Sequence, residues 1–298
     1  MRAGFVALVG RPNVGKSTLL NRLVGTKLAI VSDKPQTTRT RIAGVRNYPG
    51  AQVVFLDTPG IHRPTHRMNV RMVDAAVESI RQADVVAVLA EATDRRAGRG
   101  EAHVLERLAG VDAPVVLVLN KVDLVPRPSL LPLIDAWRGR RAFAEIVPVS
   151  AATGENVDRL ERVLTDLLPE GDALYPTDYL TDHPERFFVA ETVREKVLES
   201  THAELPFSTA VVVDRFEEAD ERGVMHLYCS ILVERESQKP ILIGRGGEAI
   251  KRIGTAARHD LERFFDARVF LDLRVKVRAD WREDDRLLDS MGVPGREG

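Results

Sequence analysis

The sequence contains a single cysteine. Cys229 alone can close no internal disulfide and build no thiolate-rich zinc site, and in "HLYCSILV" it reads as a small core residue of a strand. No apolar run approaches the ~18 residues that a membrane span requires. The opening "MRAGFVALVG" is apolar but leads into a glycine loop rather than a small-residue cleavage site, so it reads as a buried strand and not as a signal peptide. No pair among the seven histidines has metal-ligand spacing, and none neighbours a candidate nucleophile. Internal repeats and low-complexity tracts are missing too. These absences fit a reducing cytoplasm. Lysine is scarce beside a plentiful arginine, so a lysine inside a motif is harder to ascribe to chance.

What is present is ordinary in bulk and uneven in detail. A chain of 298 residues with 44% hydrophobic and 29% charged side chains has the balance of a soluble globular protein, and its length points to two domains. The net charge of −1 excludes a histone-like polycation. Between Glu234 and Arg282, however, twelve bases face eight acids, a modest basic patch that gains meaning only beside a nucleic-acid motif.

Short Val-, Leu- and Ala-rich runs ("GFVALVG", "AQVVFLD", "DVVAVLA", "PVVLVLN", "AEIVPVS") alternate with helix-like stretches such as "KSTLLNRLV", "RMNVRMVDAAVESIRQ" and "NVDRLERVLTDLL". That alternation predicts an α/β domain, a mostly parallel sheet with helices on both faces. The pattern stops at Leu168, and the aperiodic, proline-containing stretch that follows reads as a linker. A helix, two strand-like runs, a glycine loop, a second helix ("EAIKRIGTAARHDLERFF") and a last strand ("RVFLDLRVKV") then predict a small α+β unit. The expected boundaries are residues 1–169, 170–185 and 186–298.

"GRPNVGKST" carries the Walker A pattern on Gly10, Gly15, Lys16 and Ser17, with Arg11, Pro12, Asn13, Val14 and Thr18 completing the loop. It follows a strand and opens a helix, so backbone N–H groups and the helix N-terminus face an anion. Lys16 is placed to reach the β- and γ-phosphates, and Ser17 to ligate Mg²⁺. "DTPG" (Asp57, Thr58, Pro59, Gly60) ends a strand, with Asp57 directed at Mg²⁺ through water and the Gly60 N–H at the γ-phosphate. Thr38 in the polar loop "KPQTTRTRI" is the candidate sensor of γ-phosphate and Mg²⁺, with Thr37 its rival.

"NKVD" selects the base. A carboxylate at Asp123 accepts from guanine N1–H and the 2-amino group, and adenine offers neither donor. Asn120 would hold the base edge, Lys121 would lie across the ring, and a backbone N–H of "VSA" (Val149, Ser150, Ala151) would meet guanine O6. These elements define a switch-type GTPase binding GTP and GDP.

With "GRPNVGKST", "QTTR" and "DTPG" at this spacing, the chain resembles the Era family of bacterial ribosome-assembly GTPases. "ILIGRGGEAIKRIG" admits two readings. Gly244, Gly246 and Ala249 match a dinucleotide-binding turn, whereas Gly244, Arg245, Gly246 and Gly247 match the G-x-x-G loop that clamps single-stranded nucleic acid. Too little chain remains after Ala249 for a second nucleotide fold. The run before the loop fits a strand or a short helical turn with Ser237 as its cap and Pro240 in its first turn, and periodicity does not separate the two; helix–G-x-x-G–helix is the order the second reading requires. The order of elements looks like a type II KH domain, and "ERESQKPILIGRGGEAIKRIG" resembles the KH segment of Era. Lys239, Arg245, Lys251 and Arg252 would then meet phosphates, while Ile250, Ile253, Ala257, Leu261 and Phe264 fall at core spacing.

The resemblance implies a cytoplasmic monomer that binds the 3′ end of small-subunit ribosomal RNA in 30S maturation, with some relatives peripheral at the inner membrane. It also implies that Asn13 helps coordinate K⁺ in place of an arginine finger; otherwise Asn13 is a turn former. Ile61 follows DTPG where many switch GTPases carry a water-orienting glutamine, so intrinsic turnover is expected to be slow. Two other classes are weighed against this: a metabolic P-loop kinase, which would lack NKVD, and a regulatory GTPase whose C-terminal unit docks on a protein or an anionic membrane surface. The stretches from Gln36 to Thr40 and from Gly60 to Met68 are the expected switches. The last stretch, "DDRLLDSMGVPGREG", suggests no function.

Overall fold

The computed structural model describes residues 1–34, 36–62, 64–94, 101–201, 205–293 and 295. Pro35 of "KPQTTRTRI", Arg63 between Gly60 and Met68, His202 among the seven histidines, and residues 294 and 296–298 of the tail lie outside the described residues.

The first sheet holds β1 (Arg2–Gly10), β2 (Ile42–Tyr48), β3 (Ala51–Asp57), β4 (Val85–Glu91), β5 (Val115–Asn120) and β6 (Glu145–Pro148), in the order β2-β3-β1-β4-β5-β6. All neighbours are parallel except β2, which returns antiparallel against β3. β2 escapes the sequence reading because its apolar start merges with a polar loop and it stands at the edge. Between the strands lie α1 (Lys16–Val24), α2 (Arg67–Gln82), α3 (Ala102–Arg107), α4 (Leu130–Arg138) and α5 (Val157–Leu167). Strand alternation splits the core. Val6, Leu8, Val85 and Val118 face Leu19, Leu23, Leu160 and Leu164 of α1 and α5. Ala7, Val9, Val86 and Leu117 face α2, α3 and α4 through Ala76, Ile80, Val104, Leu133 and Trp137.

Among the described residues no helix packs on the patch formed by Ala43, Val45, Val54 and Leu56. The segment read as a linker does so instead, laying the stacked Tyr175 and Tyr179 on it. Its path is fixed by Gln52, which accepts from the Leu174 and Tyr175 amides, and by the Val45 amide donating to the Leu180 carbonyl. The stretch is therefore a strap rather than a free tether.

The second unit runs α6 (Glu185–Ser200), α7 (Leu205–Ser208), β7 (Ala210–Glu217), β8 (Val224–Val233), α8 (Lys239–Ile243), α9 (Glu248–Phe265), β9 (Arg268–Val277) and α10 (Asp285–Ser290). Its sheet is ordered β7-β8-β9, antiparallel then parallel. The parallel β8–β9 pair needs a crossover, and α8 with α9 supplies it. Val189, Val193, Ile253, Ala257 and Leu261 pack on Leu227, Cys229 and Ile231. Burial pushes the Cys229 thiol up to about 12, so it is an inert core group.

Two expectations are corrected here. Phe264 is not core: it is 41% exposed and stacks on Phe188 at the junction with the first unit, because successive helical residues point to different faces and it is Phe265 that turns to the second unit's core. Gln238, not Ser237, braces the start of α8, its Oε1 accepting from the Glu234 and Arg235 amides.

Candidate nucleotide and RNA sites

The phosphate loop joins β1 to α1 and walls a cavity of about 400 Å³ shared with residues 30–33 and 36–38. Gly15 caps α1 at φ 97°, and a Cβ there would stand 2.2 Å from Asn120 Nδ2. Backbone conformation and space therefore both require glycine. Val14 is buried in the core, while Pro12, Asn13 and Thr18 line the cavity and Arg11 pairs with Glu101 at 3.5 Å. Lys16 is buried, donating to the carbonyls of Arg11 (2.9 Å) and Gly10 (3.4 Å). Burial lowers its pKa to about 8, against the opposing pull of Asp57.

Ser17 Oγ lies 2.8 Å from Thr38 Oγ1 and donates to Asp57 Oδ2 at 2.8 Å; Thr38 Oγ1 reaches the same oxygen at 3.2 Å. Asp57 is fully buried, and its other oxygen, Oδ1, has no hydrogen-bond partner. Burial raises the Asp57 pKa, opposed by Lys16, Ser17 and Thr38. One orphaned carboxylate oxygen beside two hydroxyls is an all-oxygen donor set. It fits Mg²⁺, which takes one or two carboxylates and completes its shell with water and substrate phosphates. The Thr37 hydroxyl points elsewhere, donating to the Lys34 carbonyl at 2.6 Å.

The DTPG turn presses on the phosphate loop. Thr58 Oγ1 donates to the Leu8 carbonyl at 2.8 Å, and a Cβ on Gly60 would lie 2.7 Å from Pro12 N. Beyond Pro59, the Ile61 amide donates to Gly10 and its side chain enters the core, so nothing from that position can orient a water.

The base-recognition residues also meet, with changed roles. Asn120 does not stand free for the base edge: Nδ2 donates to the Val14 carbonyl (2.8 Å) and Oδ1 accepts from the Ala151 amide (2.9 Å), so it braces two loops. The expectation of an open N–H in "VSA" is not met. Val149 donates to Leu119, Ser150 to Glu155 and Ala151 to Asn120, because this turn satisfies its own backbone. Lys121 Nζ holds the Asn13 carbonyl and Glu91, leaving its stem along the cavity. Asp123 is exposed in a short turn after β5.

In the second unit, Gly244–Gly247 link α8 to α9, so a helix and not a strand precedes the loop. The three glycines have φ of 75°, 60° and 83°. At Gly244 a Cβ would also meet Ala249 at 2.7 Å, whereas Gly246 and Gly247 face open space. Arg245 and Arg252 are exposed and Lys239 is half-buried. Lys251 lines a groove of about 540 Å³ between α9 and β9, with Thr255, Arg258, Arg268 and Phe270. Sequence reasoning missed these four. The spacing of residues 251, 255 and 258 along one helical face was the available signal.

The tail is missed as well. Leu288 of α10 and Trp281 pack with Met68 and Met72 of α2, and Arg71 reaches Asp285, Asp289 and the Val293 carbonyl. No helix among the described residues is long and apolar enough to cross a membrane.

Comparison with known proteins matches both halves. The family described as 50S ribosome-binding GTPase matches residues 5–121, and the KH domain family matches residues 204–282. The chain is similar to the GTPase Era of Geotalea daltonii, 53% identical over 97% of each chain, and of Lacticaseibacillus paracasei, 47% identical over 97% of this chain and 96% of the relative. A crystal structure of an Aquifex aeolicus Era variant bound to GDP·AlF4⁻ superposes with a TM-score of 0.95 at 42% identity, over 99% of this chain and 100% of that one. An Era in complex with MgGDPNP and nucleotides 1506–1542 of 16S ribosomal RNA also scores 0.95, at 42% identity and 99% coverage of both chains.

Proposed function

The chain belongs to the Era family of GTPases, and on that footing we propose that it is a Mg²⁺-dependent GTP switch that binds single-stranded RNA. The RNA is the 3′ end of small-subunit ribosomal RNA, the setting is 30S maturation in the cytoplasm, and the working form is the monomer. Residues 1–169 are the GTPase unit, 170–185 the linker and 186–298 the RNA-binding unit.

The observation that carries the catalytic half is the convergence of Ser17, Thr38 and Asp57 around an unpartnered carboxylate oxygen. Bound Mg²⁺ would neutralise charge developing on the transferred phosphoryl group. Lys16 would leave its two loop carbonyls for the phosphates, and the Gly60 N–H would face the γ-phosphate. Asp123 would select guanine, with Asn120 holding the loops around the base. With Ile61 turned into the core, chemistry rests on positioning and electrostatics, and turnover is slow.

The RNA half rests on three positive-φ glycines between two helices beside a basic groove, and on the RNA-bound relative. Gly246 and Gly247 would admit the RNA backbone, with Arg245, Lys251, Arg258 and Arg268 meeting phosphates. Asn13 adds K⁺ as a second cation. Its Nδ2 donates to the Asp33 carbonyl at 2.6 Å, tying the phosphate loop to the segment just before the first switch.

The test is hydrolysis and binding by the full-length chain. GTP should be hydrolysed slowly with Mg²⁺, faster in KCl than in NaCl, and ATP should not compete. Equal rates in the two salts would remove K⁺, and effective ATP competition would overturn guanine selection.

A further inference from the structure

Two adjacent residues of α6 reach out of the second unit and hold the loop that walls the nucleotide cavity. Glu195 accepts from the Val31 amide at 3.0 Å and pairs with Lys27 at 2.5 Å. Arg194 donates through Nη2 to the Thr37 carbonyl. Both are 2% exposed. The loop is thus pinned at each end, 31 and 37, by one helix that belongs to the other half of the chain.

The grip at Thr37 bears on Thr38. The Thr37 carbonyl and the Thr38 nitrogen belong to one planar peptide unit, so holding that oxygen fixes the plane that carries the Thr38 Cα. The Thr37 hydroxyl is tied back to Lys34, and Arg39 donates to the Thr209 carbonyl at 2.7 Å with its guanidinium over the Trp281 ring. Residues on either side of Thr38 are therefore held by outside contacts while Thr38 alone turns inward to Ser17 and Asp57. Arg194 is itself oriented by a bidentate pair with Glu191, at 2.7 and 2.6 Å, one turn back on α6. A planar fork held from behind can aim a donor at a carbonyl; a lysine ammonium on a flexible stem cannot match it.

We propose that Arg194 is a positioning residue for GTP hydrolysis, acting through the Thr37–Thr38 peptide to set the Thr38 hydroxyl against Ser17 and Asp57. The RNA-binding unit then supplies part of the geometry of the GTPase site. The inference rests on the reading of Thr38 as the Mg²⁺ and γ-phosphate sensor.

The experiment measures kcat, KM and the Mg²⁺ concentration for half-maximal rate in the full chain, for Arg194→Gln, Thr38→Ala and the double variant, with GDP affinity alongside. Glu191→Gln/Arg194→Gln, which leaves no unpaired buried acid, is the second form of the test if the single variant folds poorly. Arg194→Gln should lower kcat about tenfold and raise the Mg²⁺ requirement, with KM and GDP affinity within about twofold, and should add little in the Thr38→Ala background. Arg194→Lys should recover only part of the rate. If Thr38→Ala slows hydrolysis but Arg194→Gln does not, or if the two losses multiply, the positioning role is wrong. If Thr38→Ala leaves rate and Mg²⁺ dependence unchanged, the reading of the site falls and this inference with it. A parallel loss of GDP affinity and melting temperature would show Arg194 to be structural only.

Discussion

Arg71 of α2 and Asp289 of α10 form an ion pair at 2.5 Å, and the same guanidinium nitrogen donates to the Val293 carbonyl at 2.7 Å. The segment from Asp285 to Val293 is thereby fastened to the helix that follows the DTPG turn. Arg67 and Arg71 both reach Asp285, and Met68, Met72, Trp281 and Leu288 fill the space beneath.

This makes the tail's attachment mainly apolar and only secondarily ionic. Leu288→Ala removes a fully buried side chain and should cost about 2–5 kcal/mol where the site cannot collapse. Asp289→Asn removes one end of a pair whose acid is 58% exposed, and should cost under about 1 kcal/mol, less still in high salt. Denaturant unfolding of the two variants at low and high salt decides between these weights. An Asp289→Asn effect equal to that of Leu288→Ala would put the ionic contacts first.

Much of this was legible beforehand because the signals were local. Lys16–Val24, Ala51–Asp57, Arg67–Gln82, Glu248–Phe265 and Arg268–Val277 are read with those bounds from periodicity and caps alone. The phosphate loop and DTPG are contiguous motifs whose chemistry does not depend on distant chain. What stayed hidden depends on long-range contact. Nothing local says that Arg194 reaches Thr37, that Tyr175 and Tyr179 roof a sheet face, or that "DDRLLDS" closes on α2. Asn120 shows the same limit: its motif names it, but only the fold shows both ends of its carboxamide spent on Val14 and Ala151.

Guanine selection at Asp123 has a sharp test. Asp123→Asn replaces an acceptor with a group that also donates, so it clashes with guanine N1–H and the 2-amino group but suits the 2-oxo group of xanthine. GTP affinity should fall by about 10²-fold or more while XTP affinity rises. Competition binding with GTP, XTP and ATP reads this out. Retained GTP preference would move selection elsewhere.

For RNA, the loop rather than the groove is the cleaner target. Gly246 sits at φ 60° facing open space, a conformation aspartate tolerates, and Arg245 is exposed, so Arg245→Asp/Gly246→Asp should fold normally. It places two acids where phosphate should pass. Binding of a single-stranded oligonucleotide with the sequence of the 16S 3′ end should be lost, while Arg258→Ala should weaken it and flatten its salt dependence. Unchanged binding by the double variant would take the glycine loop out of the interface.

Lys16 makes nucleotide affinity depend on pH in a direction fixed by its burial. With its pKa lowered to about 8, the ammonium is charged below that pH and neutral above it. Only the charged form attracts phosphate, and a bound phosphate raises the lysine pKa again, so binding takes up a proton. GDP affinity should therefore be steady near pH 7 and weaken by roughly tenfold by pH 9, the slope of a single proton. In Lys16→Ala the affinity is lower throughout and this slope is gone, while any titration of the base itself persists in both proteins. Calorimetry in buffers of different ionisation enthalpy counts the proton directly. An equal pH slope in the wild type and in Lys16→Ala would mean that the buried lysine keeps its charge across this range.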